Sequence, residues 1–144
     1  MTESEHKYLL FTLHGRRYAF DLAQVAEVDE PLPTWPIPGA PSCYSGAMNF
    51  HGTIVAVMDL AAFIGFSGEQ RLEKVVVLNA GIAALAFQVE RVERIVTADQ
   101  VQYGNQVQQV DIGISARTLT MANGDALLLD AAELAHEATE RIAG

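Results

Sequence analysis

Basic residues are scarce in this chain: nine lysines and arginines stand against eighteen acidic residues, for a net charge of −9. A phosphate backbone would be repelled, which excludes nucleic acid as a partner. There is one cysteine, Cys43, so no internal disulfide can form, and a reducing compartment suits the chain. No apolar run approaches the roughly 20 residues a membrane helix needs, so direct membrane insertion is not expected. The opening MTESEHK is polar, with no apolar run before Tyr8, and reads as no signal peptide. The expected location is cytoplasmic, any membrane association coming through a partner.

Catalytic groups are equally sparse. The four histidines, at positions 6, 14, 51 and 136, have no zinc-site spacing, so neither metal nor cofactor is expected. Cys43 follows Pro41 and Ser42 with no linked base, and fits a small buried residue better than a nucleophile. No serine sits in a nucleophile elbow and no glycine-rich phosphate loop occurs. Asp59 and Asp130 would tempt as paired acids, but both stand where a strand meets a helix, and capping explains them better. The chain is not expected to be an enzyme.

Hydrophobic residues make up 50% of the chain and charged residues 19%, which excludes disorder for the whole. At 144 residues the chain fits one compact domain spanning 1–144. Its central block runs from Gly46 to Gly65. Ala47, Met48 and Phe50 lead into a tight turn at His51-Gly52, where Gly52 can take a positive φ. Thr53 to Met58 is a buried strand, and Asp59 caps a helical turn from Leu60 that Gly65 ends.

The same reading extends outward. Tyr8–Leu13 and Tyr18–Phe20 form a hairpin across His14 to Arg17, followed by one helical turn at Asp21–Gln24 and a strand at Val25–Val28. All five prolines lie between Pro31 and Pro41, in a stretch that can be neither helix nor central strand, with Trp35 pinning it to the core. Past the exposed loop Ser67–Gln70, strands are expected at Lys74–Leu78, Ile82–Val89 and Val92–Val96. Thr97–Gln109, polar and glutamine-rich, reads as a long excursion. Ile112–Met121 and Ala126–Leu129 pair across a type I′ turn at Asn123-Gly124. Asp130 opens a final helix, with Glu133 at the capping-box position and an apolar stripe of Leu134, Ala138 and Ile142.

A faint repeat runs through this pattern. Ala19–Val28 aligns with Ala86–Ile95 at an offset of 67, and Val57–Ala61 with Leu128–Ala132 at an offset of 71. Either a unit was duplicated, giving two small barrel-like halves with a groove between them, or short strands merely share a pattern. Two stretches have binding character. Pro33–Pro36 and Pro38–Pro41 match PxxP, although a stiff internal connector fits them better. Val25–Val28 could line an exposed groove or simply be a half-buried strand.

The chain resembles the CheW-like domain family of chemotaxis-type signalling over nearly its whole length. The resemblance is carried by Phe11-Thr12-Leu13, Tyr18–Asp21, Val25-x-Glu27-Val28 and Pro38-x-x-Pro41. The most specific block is Gly46–Gly52 with Thr53–Leu60. Val75–Leu78, Phe87-x-Val89-Glu90-x-Val92-x-x-Ile95 and Leu127–Asp130 complete it. It implies a mostly β fold of two intertwined SH3-like five-stranded β-barrel subdomains, with short helices and a C-terminal helix. It implies a non-enzymatic adaptor bridging a CheA-type histidine kinase regulatory domain and the cytoplasmic tip of a chemoreceptor. The kinase's regulatory domain shares the fold, so other CheW-like domains are implied partners too. Val25, Glu27 and His51 match the family's receptor-binding positions; Gly46, Asn49 and Gly52 fall in the segment implicated in kinase binding.

Two positions depart from the family pattern: His51 stands where arginine is usual, and Ala56 where proline is. Histidine lacks the permanent forked charge of arginine, so partner preference is expected to shift more than stability. A dedicated pathway such as pilus motility, or a regulator that binds CheW-like domains without a receptor, is the alternative this departure raises.

Overall fold

In the computed structural model, residues 6–69, 71–111 and 113–143 are described. The polar start through Glu5, Gln70 of the exposed loop, Ile112 and Gly144 lie outside the described residues, as does the side chain of Ala143.

β1 (Lys7–Leu13) and β2 (Arg16–Asp21) form a hairpin closed by His14 and Gly15 alone, at φ +50 and +75. Two successive positive φ values give the primed turn whose twist matches that of the strands it joins. Asp21 then accepts from the Ala23 N–H at 2.9 Å and starts a 3-10 turn, after which β3 (Val25–Asp29) begins. Beyond the proline segment come β4 (Tyr44–Phe50), β5 (Thr53–Asp59) and the one-turn helix α1 (Leu60–Phe63). The second half holds β6 (Lys74–Leu78), β7 (Leu85–Val89), β8 (Arg91–Thr97), β9 (Gln102–Asp111), β10 (Ile114–Met121), β11 (Gly124–Leu129) and α2 (Ala131–Ala143).

The strands make two sheets, ordered β8-β1-β2-β11-β10-β9 and β3-β6-β7-β5-β4. Each half of the chain contributes to both. β3 leaves the β1–β2 hairpin to pair with β6, and β8 leaves β7 to pair with β1. The five strands per subdomain implied by the resemblance are found in one sheet; the other has six.

The register establishes the repeat. Leu10 faces Ala19 as Val77 faces Ala86, and Glu27 faces Val77 as Arg94 faces Leu10, all at the offset of 67. The parallel pairs Leu129–Phe20 and Met58–Phe87 correspond through the offsets of 71 and 67. Even the bulge recurs: β3 slips between Val25 and Glu27, and β8 skips Glu93 at the equivalent point. Matching side chains fill matching cores. Leu10, Ala19, Leu119, Met121 and Ala126 pack on the first sheet as Val77, Ala86, Met48, Phe50 and Val55 do on the second. Between the sheets lies the largest core, where Phe20 and its counterpart Phe87 stack at 5.9 Å.

Several expectations need correction. Thr97–Gln109 is no excursion: β8 extends through Thr97 and β9 occupies most of the remainder, pairing with β10. Its side chains are mostly exposed on both faces, so the apolar alternation that reveals a half-buried strand is missing. The β10–β11 turn is Ala122-Asn123, not Asn123-Gly124, and neither of its residues has positive φ. Ile82 belongs to a turn, where its N–H donates to Asn79 O at 2.9 Å, and the strand starts at Leu85. Trp35 does not pin its loop by its side chain, which is 46% exposed. The backbone does so instead, through Trp35 N–H to Ala47 O at 2.9 Å and the reciprocal bond at 2.8 Å.

On α2, Leu134 and Ala138 are buried, but Ile142 is 60% exposed, while its neighbour Arg141 turns inward to Phe63 O and Asp111. Asp130 caps that helix from Oδ1, and Glu133 accepts from the Ser115 N–H at 2.7 Å, tying α2 to β10.

Candidate partner-docking site

β3 and the β4–β5 turn stand at opposite ends of the five-stranded order, yet their side chains meet. Glu27 Oε1 lies 3.4 Å from His51 Nε2. The sheet therefore curls far enough to bring its two ends together. His51 is well exposed, with Glu27 less so, and an exposed pair of this kind is worth about 0–1 kcal/mol. Its interest lies in what it presents rather than in stability.

The turn is built to hold His51 outward. His51 and Gly52 have φ of +49 and +87, again the primed geometry. Asn49 Oδ1 accepts from the Gly52 N–H at 2.8 Å, and the Phe50 ring sits 4.4 Å from the imidazole. Asn49 and Gly52 are exposed. Val25 is half-buried at the start of β3 and packs against the central core. Gly46 is buried at φ +143, and a Cβ there would lie 2.3 Å from Trp35 O. Its absent side chain is what lets the Trp35 segment cover the outer edge of β4.

One exposed residue was not legible as part of this surface. Ile54, directly opposite Asn49 in the ladder, is 59% exposed, although Thr53–Met58 reads as a uniformly apolar buried strand. Alternation gives no signal of this: Val55 and Val57 point into the second sheet's own core, and Ile54 shares the other face with Ala56 and Met58, which pack in the central core.

The repeat makes the site's asymmetry plain. Where the first half has Glu27 and the His51-Gly52 turn, the second has Arg94 and Ala122-Asn123, with Arg94 Nη2 donating to Asn123 Oδ1 at 3.4 Å. The two equivalent places thus carry opposite charge. The Ala56 departure also has a local reason. Its N–H donates to Ala84 O at 3.1 Å, a bond proline could not make.

Elsewhere the titratable groups look structural. Asp59 accepts from the Ala62 N–H at 3.2 Å and acts as a helix cap, as Asp130 does. Among the described residues no three of His, Cys, Asp and Glu are placed to hold a metal ion. Burial pushes the Cys43 thiol above its ordinary pKa, and burial, with Cys43 nearby, does the same to the Tyr44 phenol. A raised thiol pKa means less thiolate at any given pH. Cys43 is therefore expected to alkylate with iodoacetamide more slowly than free cysteine at mildly alkaline pH, and a rate equal to the free thiol's would contradict this packing.

Comparison with known proteins agrees with this architecture. The model of the CheW-like domain family matches residues 7–139. The chain is 29% identical to the chemotaxis protein CheW of Thermotoga maritima over 89 residues, which is 61% of this chain and 59% of that protein's length. Its fold is similar to that of the scaffolding protein TtCheW from Thermoanaerobacter tengcongensis, with a TM-score of 0.74 at 18% identity, covering 87% of this chain and 88% of that one. With two paired β-sheets and a family match over nearly all its length, the chain belongs to the CheW-like domain family.

Proposed function

We propose that this protein couples a CheA-type histidine kinase to the cytoplasmic tip of a chemoreceptor, acting as one CheW-like domain whose two sheets serve as SH3-like barrels. The observation that supports the reading is the Glu27–His51 contact at 3.4 Å, with Val25 two residues before Glu27 on the same strand. An apolar flank with a charged rim is what an amphipathic receptor helix requires: apolar contact supplies the affinity, and the rim sets orientation. Asn49 and Gly52 present the turn to the kinase's regulatory domain. Gly46 acts from beneath, by fixing the backbone of β4 against Trp35. Other CheW-like domains are partners by the same like-with-like docking, and many weak contacts in an array supply avidity.

A second reading is favoured by His51 itself. Without the fixed charge of arginine, the corner serves a regulator that holds the kinase or other CheW-like domains and no receptor, for example in a pilus-motility pathway. Titration of the full chain with the kinase's regulatory domain, and separately with a receptor-tip fragment, distinguishes the two. The adaptor reading expects binding to both, Glu27→Lys weakening the receptor arm about tenfold and sparing the kinase arm. Kinase binding with no receptor binding, even in His51→Arg, supports the regulator. No kinase binding in either form rejects both.

A further inference from the structure

Four strands end the two sheets, and three of them are protected. β8 carries Arg91, Glu93 and Arg94; β3 carries Glu27 and Asp29; the outer edge of β4 is bonded to the Trp35 segment. Charged residues and covering loops are the usual means of keeping a sheet edge from pairing with another chain. β9 has neither. Among the described residues it has a ladder neighbour, β10, on one side and none on the other. At ten residues it is the longest strand, and the nine from Gln102 to Val110 carry no charge in a chain whose net charge is −9. Val107, at 62%, is the most exposed large hydrophobic residue described.

We infer that the outer edge of β9 is a self-association site, pairing antiparallel with β9 of a second copy of this chain. The occupant follows from charge and from side-chain chemistry. Two copies repel each other over most of their surfaces, and this neutral strand is where approach costs least. Gln106, Gln108 and Gln109 each carry an amide that both donates and accepts, so identical strands meeting about a two-fold axis are complementary to themselves. Val107 of each copy covers the other. The regular pairing is short, because β9 slips against β10 between Tyr103 and Val107 and again near Asp111. Such an interface is weak and depends on concentration. It lies on the six-stranded sheet, so the Glu27–His51 corner of the other sheet stays available, and the inference does not depend on the adaptor reading.

Sedimentation velocity on the full chain, up to about 1 mM, tests it, with hydrogen exchange measured at low and high concentration. The expected result is a monomer–dimer equilibrium that tightens as salt screens the repulsion, with concentration-dependent protection confined to β9 amides. Val107→Lys, at an exposed position, should weaken dimerisation at least tenfold while leaving the thermal midpoint in place. A monomer across the whole range would overturn the inference, as would a dimer protected elsewhere or indifferent to Val107→Lys. Protection of β9 only when an unrelated protein is added would assign the edge to that partner and overturn self-pairing.

Discussion

Phe20→Ala is expected to destabilise the protein by about 3–5 kcal/mol, as is Phe87→Ala. Both rings are fully buried between the two sheets, and they stack on each other at 5.9 Å as equivalent residues of the repeat. Phe20 also lies 4.8 Å from Phe11, so its removal opens a cavity in the core between the sheets. Folding stabilities of single domains are about 5–15 kcal/mol, so either substitution removes a large share. Because the two rings are in contact, the double variant should cost less than the sum of the single variants, by about 1 kcal/mol. Urea unfolding of the four proteins measures this directly. Strict additivity would mean that the sheets do not share one core.

The second large effect is expected at Gly46. In Gly46→Val a Cβ would be placed 2.3 Å from Trp35 O, far inside contact distance, on a residue whose φ of +143 already disfavours any side chain. Overpacking costs about 1–3 kcal/mol and an unfavourable backbone region a similar amount, so a loss of about 3 kcal/mol or more is expected. Relief of the clash requires breaking the bridge between Trp35 and Ala47. Trp35 is the only tryptophan, so its emission should shift to the red while the remainder of the fold persists. Gly52→Ala is the control. It has positive φ but no atom within 4 Å of the added Cβ, and should cost only about 1 kcal/mol. Equal costs at the two glycines would remove the argument that Gly46 exists to admit the Trp35 segment.

Much of the placement of strands along the chain was legible from residues alone. Lys74–Leu78 was read with its observed bounds, and His51-Gly52, Asp59 and Asp130 took the local roles their chemistry implies. β9 was not legible, because a strand exposed on both faces leaves no apolar alternation to read. Trp35 misled for a related reason: tryptophan is usually an anchor by its ring, and here its peptide groups do the anchoring. Of the proposed docking corner, the resemblance supplied Val25, Glu27 and His51 by position. Ile54 was hidden in a run of apolar residues whose facing is set by the sheet.

The sequence by itself determined the local pieces: primed turns at glycine, acidic helix caps, apolar runs of strand length, and a repeat at offsets of 67 and 71. These depend on a few neighbouring residues, so neighbouring residues suffice to specify them. Only the tertiary structure decided that the opening hairpin of each half shares a sheet with the later strands of the other half, and that Glu27 meets His51 across the ends of one of those sheets. Such pairings join residues far apart in the chain. They are selected by which buried faces fit together, a property no short stretch of sequence carries.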